Sequence, residues 1–255
     1  MVAQPRALTA VAAVGLLILM ATPGGAYEVA AVKDAGTITG TVRFVGTPPR
    51  LAPIPVSKGR DVCGERTASE ALVLSADRGV KGAVVLIRGV ARGKRGGSEV
   101  VLDTSECLFV SHVTAAGPTD RVSIRNSDPI LHNSHGFNGA ATVFNVALPS
   151  RGQMIEVTKH LKSPGVIRVV CDAHPLMSAW LIVHDSPYFA VTDDTGAFRI
   201  TDVPPGTYTI TMWHAGFKPR AVDRDGRPTY DEPLAVSRKI TVAPKATATV
   251  DFVLK

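Results

Sequence analysis

The chain has 255 residues, enough for one large domain or two small ones with a real buried core. Its formal charge is +6, with basic residues scattered except for a short cluster at Arg92, Lys94 and Arg95. No stripe interleaves them with aromatics, which argues against nucleic acid as a partner. A basic surface favours an acidic protein or an anionic membrane face through association rate, though a merely solvated surface fits the same composition. Few aromatics among many Gly, Pro, Val and Thr residues make a composition of β-strands punctuated by turns.

In chain order, a targeting segment comes first. Arg6 supplies a positive start, Leu8 to Met20 is an apolar run, and Gly24 and Ala26 stand at the −3 and −1 positions before Tyr27. The pattern predicts a signal peptide over 1–26, with an uncleaved anchor as the alternative. The run is short for a transmembrane helix, and no other stretch could span a bilayer. A periplasmic or secreted mature protein follows, in an oxidising compartment.

From residue 27 onward no long helical period is found. Short alternating segments are separated by turn signals, the pattern of sandwiches and barrels. Strands are predicted at 36–46, 71–75 and 81–90, then a glycine-rich loop at 92–98. Further strands are predicted at 99–103, 106–115, 120–126, 154–161, 165–171 and 180–185. Residues 188–217 hold two tight turns, DDTG and VPPG, between alternating strands. Residues 238–255 read as two final strands. The divisions are an N-terminal β region at 27–98, a central region at 99–186 and a C-terminal unit at 187–255.

Three cysteines occur: Cys63, Cys107 and Cys171. An odd count leaves at least one unpaired within the chain. If Cys63 and Cys107 form a disulfide, Cys171 is the remaining thiol, and a thiol in an oxidising space survives when buried or bound. Residues 171–177 read CDAHPLM and 132–135 read HNSH. His132, Cys171, His174 and Met177 thus offer two imidazoles, a soft thiolate and a thioether. That donor set suits copper cycling between two oxidation states, with two His and one Cys in a plane and a weak axial Met. Methionine is a poor zinc ligand, and a binuclear copper centre would need a second cysteine in the loop.

Two resemblances are carried by these residues. TDDTGAF…VPPGTYTITM is similar to the carboxypeptidase regulatory-like domain, a small β-sandwich. Its early strands would be GTITGTV (36–42) and KGAVVLI (81–87). The implied arrangement places the metal region between two halves of one sandwich, with three consecutive domains as the alternative. Strand 36–44 pairing within the central region would rule the split sandwich out. Residues 106–184 resemble the cupredoxins, most closely the amicyanin branch of the plastocyanin-like group. The match lies in the C-x-x-H-P-x-M loop, the H-N-x-H segment, the strand before it ending in Asn126, and the strand after Met177. The resemblance implies an all-β Greek-key sandwich with His132, Cys171, His174 and Met177 as copper ligands. It also implies that Asn133 hydrogen-bonds the ligand sulfur through its amide and ties the two ligand loops through its side chain. Pro175 would stiffen the loop, and an exposed His174 would pass electrons to partners. Aliphatic Ile167, Val169 and Val170, and Ala179 in place of glycine, depart from the family pattern.

Other polar residues carry weaker expectations. His135 reads as a neighbouring histidine and His112 as structural. His160, His184 and His214 are expected to be exposed or capping, and Met154 and Met212 to lie in the core. Asp193, Asp194 and Asp202 read as turn residues over calcium ligands, and Asp223 and Asp225 as a loop. No G-x-S-x-G, H-E-x-x-H or phosphate loop is present, so an enzyme is not expected. The reading is a mononuclear copper protein that carries one electron between redox partners, such as an acidic cytochrome or dehydrogenase. The alternatives are a copper-holding protein without electron exchange, and a surface or carbohydrate module with a vestigial metal site.

Overall fold

The computed structural model describes residues 27–255; the predicted signal peptide lies outside the described residues. The fold is all-β. Helix among the described residues is confined to one α-turn at Arg60–Cys63 and one 3-10 turn at Thr158–His160. None is long and apolar enough to cross a membrane.

The strands form two sandwiches. The inner one pairs two sheets. In the first the order is Leu108–Val110, Glu99–Ser105, Arg121–Asn126 and Met154–Glu156. In the second it is Val113–Ala116, Ser178–Val183, Gly165–Val170, His132–Asn138 and Ala141–Leu148. Leu102, Phe109, Ile124, Phe144, Leu148, Val169 and Leu181 fill the space between them.

The outer sandwich is built from both ends of the chain. Gly36–Phe44 pairs antiparallel with Ala197–Val203 and parallel with Thr247–Thr249 and Phe252–Leu254. Val84–Arg88 lies between Phe189–Val191 and Gly206–His214, and Leu234–Val242 completes that sheet. Period-two burial explains the first strand: Gly36, Ile38, Gly40, Val42 and Phe44 are buried, while the residues alternating with them are not. Gly40 is required where Val250 crosses, because a Cβ there would sit 1.8 Å from the Val250 carbonyl oxygen. Strand Gly36–Phe44 therefore pairs with the C-terminal strands and not with the central region.

Val84–Arg88 is buried on both faces. Val85 and Ile87 enter the outer core, while Val84 and Leu86 pack with Val113, Ala115 and Ile182 of the inner sandwich. Trp180 and Trp213 meet across this junction edge to face, with centroids 5.6 Å apart. The two sandwiches thus share an apolar seam.

Several local expectations are corrected. Segment 106–115 is two strands in different sheets, Leu108–Val110 and Val113–Ala116. Glu106 and Cys107 adopt positive φ at the turn before the first of them, and their N–H groups both bond the Asp128 carboxylate. Segment 154–161 is a strand only to Glu156 and then turns. Met154 is 52% exposed, since it points outward from an edge strand. His184 and His214 are buried, not exposed, because both lie near the junction. His184 Nε2 bonds the Ile87 carbonyl at 2.9 Å. His160 is exposed and Met212 is in the outer core. Asp193 closes its own turn, accepting from the N–H groups of Thr195 and Ala197.

Candidate metal centre

Strand His132–Asn138 begins at the end of the second inner sheet where the candidate ligands gather, and Gly165–Val170 runs antiparallel beside it. Cys171 follows directly, and the loop to Ser178 returns the chain as the next strand. His132 and Cys171 thus come from adjacent strands, and His174 and Met177 from the loop between the second and third. Within the loop the Met177 N–H bonds the His174 carbonyl at 3.0 Å, closing a turn that contains Pro175. All four side chains are buried, and Pro175 is buried with them.

The Cys171 Sγ lies 3.9 Å from His132 Nδ1 and 3.7 Å from His174 Nδ1. The three donors fall within 4.8 Å of one another. A thiolate at about 2.3 Å and an imidazole nitrogen at about 2.1 Å from one ion, separated by about 120°, stand about 3.8 Å apart. The observed separations fit three donors sharing a single ion. Met177 is fully buried at the end of the same loop.

Orientation is fixed from outside. His132 Nε2 donates to Asp128 Oδ2 at 2.9 Å, which leaves Nδ1 as the acceptor facing Cys171. Asp128 is itself held by the N–H groups of Glu106 and Cys107 at 2.8 and 2.9 Å. The cluster of Cys107, Asp128 and His132 is thus a support, because the Cys107 sulfur is bonded to Cys63. Asn133 ties the loops: its Oδ1 accepts the Asp172 N–H at 2.7 Å and the Ala173 N–H at 3.3 Å. Its Nδ2 donates to Asp172 Oδ2 at 2.8 Å and Asn145 Oδ1 at 3.1 Å. His135 binds Asp172 and Thr142 and faces away from the cluster.

Electrostatics suit neutral imidazoles beside a shielded sulfur. Burial lowers the His132 pKa against the pull of Asp128. Burial also lowers that of His174, helped by the neighbouring charges of His132 and Lys58. The Cys171 thiol is pushed up by burial, while backbone N–H groups of Asn133, His174 and Ala173 draw it back. Those N–H groups aim at sulfur and would stabilise a thiolate there.

Two features escape sequence reasoning. Asp128 is one, and its position four residues before His132 is the signal that could have found it. The second is a cover on His174, which is only 6% exposed where an exposed ligand was expected. Gly59 caps the Arg60–Cys63 turn with φ 70°, and a Cβ on it would lie 2.9 Å from His174 Nε2. Val56 and the Cys63–Cys107 disulfide pin this segment to the inner core. No local pattern near residue 59 announces a contact more than a hundred residues away.

No curated protein matches the chain in sequence. Among solved structures, one similar chain is a novel purple cupredoxin from Nitrosopumilus maritimus, at 16% identity and TM-score 0.29, covering 34% of this chain and 99% of that one. Another is a mutant of amicyanin in its reduced Cu(I) form at pH 4, at 18% identity and TM-score 0.28, covering 39% and 98%. The family model described as the carboxypeptidase regulatory-like domain matches residues 168–255, so that the last third of the chain, including every outer-sandwich strand after Ser186, is similar to that domain.

Proposed function

We propose that the inner sandwich holds one copper ion through His132, Cys171, His174 and Met177 and carries single electrons. The observation that supports this most is the buried triad of Cys171 Sγ and two Nδ1 atoms at 3.7 and 3.9 Å, with the His132 ring already locked by Asp128. A thiolate, two neutral imidazoles and a thioether match the preferences of copper, and disfavour zinc. Bound copper supplies a one-electron couple, Cu(II) plus an electron giving Cu(I), with no proton moved. The chain's residues set the donors in place beforehand, exclude water by burial and limit rearrangement between the two states. A basic surface and an N-terminal targeting pattern support a periplasmic or secreted carrier that meets an acidic one-electron redox protein.

Copper holding without electron exchange has one observation in its favour, the cover that Gly59 places over His174. One preparation tests both readings. The full mature chain is reconstituted with Cu(II) and its visible spectrum recorded. An intense thiolate-to-copper band, lost in Cys171→Ser, is expected; a colourless protein refutes the copper centre. Reversible voltammetry of the loaded protein then identifies a carrier, and slow or irreversible exchange identifies a holder.

A further inference from the structure

Arg227 joins a hairpin, inserted between the outer-sandwich strands Gly206–His214 and Leu234–Val242, to the loop after Cys171. It sits in the turn between strands Pro219–Val222 and Pro228–Tyr230, yet is only 6% exposed. Its Nη2 donates to the Cys171 carbonyl oxygen at 3.0 Å, across 56 residues of sequence. The turn is shaped to deliver it. Asp223 Oδ1 accepts the N–H groups of Asp225 and Arg227 at 3.0 and 2.9 Å, and Asp223 Oδ2 lies 3.4 Å from Arg227 Nη1. Arg227 Nε has no hydrogen-bond partner among the described residues.

A buried guanidinium with one partial counter-ion is costly, and the cost grows when a second cation lies close. Arg168, on the inner strand leading to Cys171, is that cation. Burial and the charge of Arg227 together lower its pKa, against Asp223. Burying a charged fork here is out of keeping with a mere spacer between domains. What the arrangement does achieve is a fixed positive charge against the peptide of the cysteine whose sulfur faces the two histidines.

We propose that Arg227 is a positioning residue of the metal centre that also sets its reduction potential, so that the hairpin inserted between two outer-sandwich strands is a working part of the redox site. The inference rests on the copper reading above. Covalent geometry keeps the Cys171 carbonyl oxygen within about 5 Å of its own sulfur, so the guanidinium lies within about 10 Å of an ion bound there. A unit charge at that distance, at an effective dielectric of about 20, biases a one-electron equilibrium about tenfold. The sign follows from charge: a cation favours Cu(I), the less positive state, over Cu(II), and raises the potential.

The test uses the full copper-loaded chain and three variants. Arg227→Lys keeps the charge and loses the fork, Arg227→Gln keeps a donor and loses the charge, and Arg227→Met loses both. Thermal unfolding of each metal-free protein reports whether the fold survives, and voltammetry reports the potential. Arg227→Gln is expected to lower the potential by about 59 mV, a tenfold shift toward Cu(II), with Arg227→Lys recovering most of it. A shift below threefold in Arg227→Gln, with the visible band intact, overturns the inference and leaves the copper reading standing. Equal shifts in the Lys and Gln variants also overturn the charge effect. A wild-type chain with no thiolate-to-copper band refutes the copper reading and this inference with it. If Arg227→Met fails to fold, the Lys and Gln pair decides.

Discussion

Asp128→Asn isolates the part of the candidate metal centre that lies outside the proposed donor set. The carboxylate accepts three hydrogen bonds in a buried setting: Glu106 N–H on Oδ1, and Cys107 N–H with His132 Nε2–H on Oδ2. An asparagine has one acceptor oxygen and one donor group in the same space. If the oxygen stays with His132, the new NH₂ faces the Glu106 N–H, donor against donor. If the NH₂ turns to His132, Nε2 must accept, which moves the ring proton to Nδ1 and blocks the atom facing Cys171. The first orientation costs about 1–3 kcal/mol of stability for an unsatisfied buried donor. The second costs metal affinity, about 10–100-fold for loss of a group that orients a ligand. Urea unfolding of the metal-free protein measures the first. Competition with a chromophoric Cu(I) chelator measures the second. Copper affinity within threefold of wild type, with stability alone reduced, would show that Asp128 holds the Glu106–Cys107 turn and leaves the imidazole free.

Gly59→Ala is expected to lower stability by about 1 kcal/mol through its positive φ and to displace His174, read as a shifted visible band in the copper-loaded protein; an unmoved band contradicts the cover. Cys63→Ser with Cys107→Ser opens a link between residues separated by 44 in sequence, for which the chain-entropy account gives a loss of about 4 kcal/mol in urea unfolding; a loss under about 1 kcal/mol contradicts it. Acid stability reports His112, whose pKa is held down to about 4 by burial, against its bond to the Ser178 carbonyl. Between pH 6.5 and 4 the unfolded chain binds a proton there that the folded chain does not. Stability is therefore full above pH 6.5 and falls as pH drops toward 4, by roughly 3 kcal/mol from this group. His112→Gln should flatten that part of the stability curve, and an unchanged slope would show that His112 titrates normally.

The cluster of His132, Cys171 and His174 was legible because Cys171 and His174 lie within one seven-residue motif, with Met177, and His132 lies in a similarly short one. Alternation and turn chemistry made the strand class readable, and GTITGTV and VPPGTYTITM marked both halves of the outer sandwich before any pairing was visible. What escaped reading is long-range or directional. Gly59 meets His174, and Arg227 meets Cys171, through tertiary approach that no local pattern encodes. Met154 looks like core in sequence, but its strand lies at a sheet edge and turns it outward. His184 and His214 look isolated along the chain, yet the seam between the sandwiches gathers them. Asp128 was visible as a residue and missed as a partner, since a turn aspartate bonds backbone in most settings and here bonds backbone and imidazole together.

The paired ends of the outer sandwich impose an order of events on synthesis. The first outer strand finds its antiparallel partner in Ala197–Val203 and its last partner in Phe252–Leu254, with Thr41 bonding Asp251 across 210 residues, so its pairing is completed only when nearly the whole chain has emerged. The inner sandwich, complete by Val183, can close earlier, and closing it brings Val84–Arg88 and Phe189–Val191 together as neighbours. That shortens the loop which the late strands must close and lowers its entropic cost. Arg227 arrives after the cysteine it touches is already set. Under the proposed copper reading, an ion bound before residue 227 is in place would occupy a centre without that guanidinium, and the arrival of Arg227 would raise its potential.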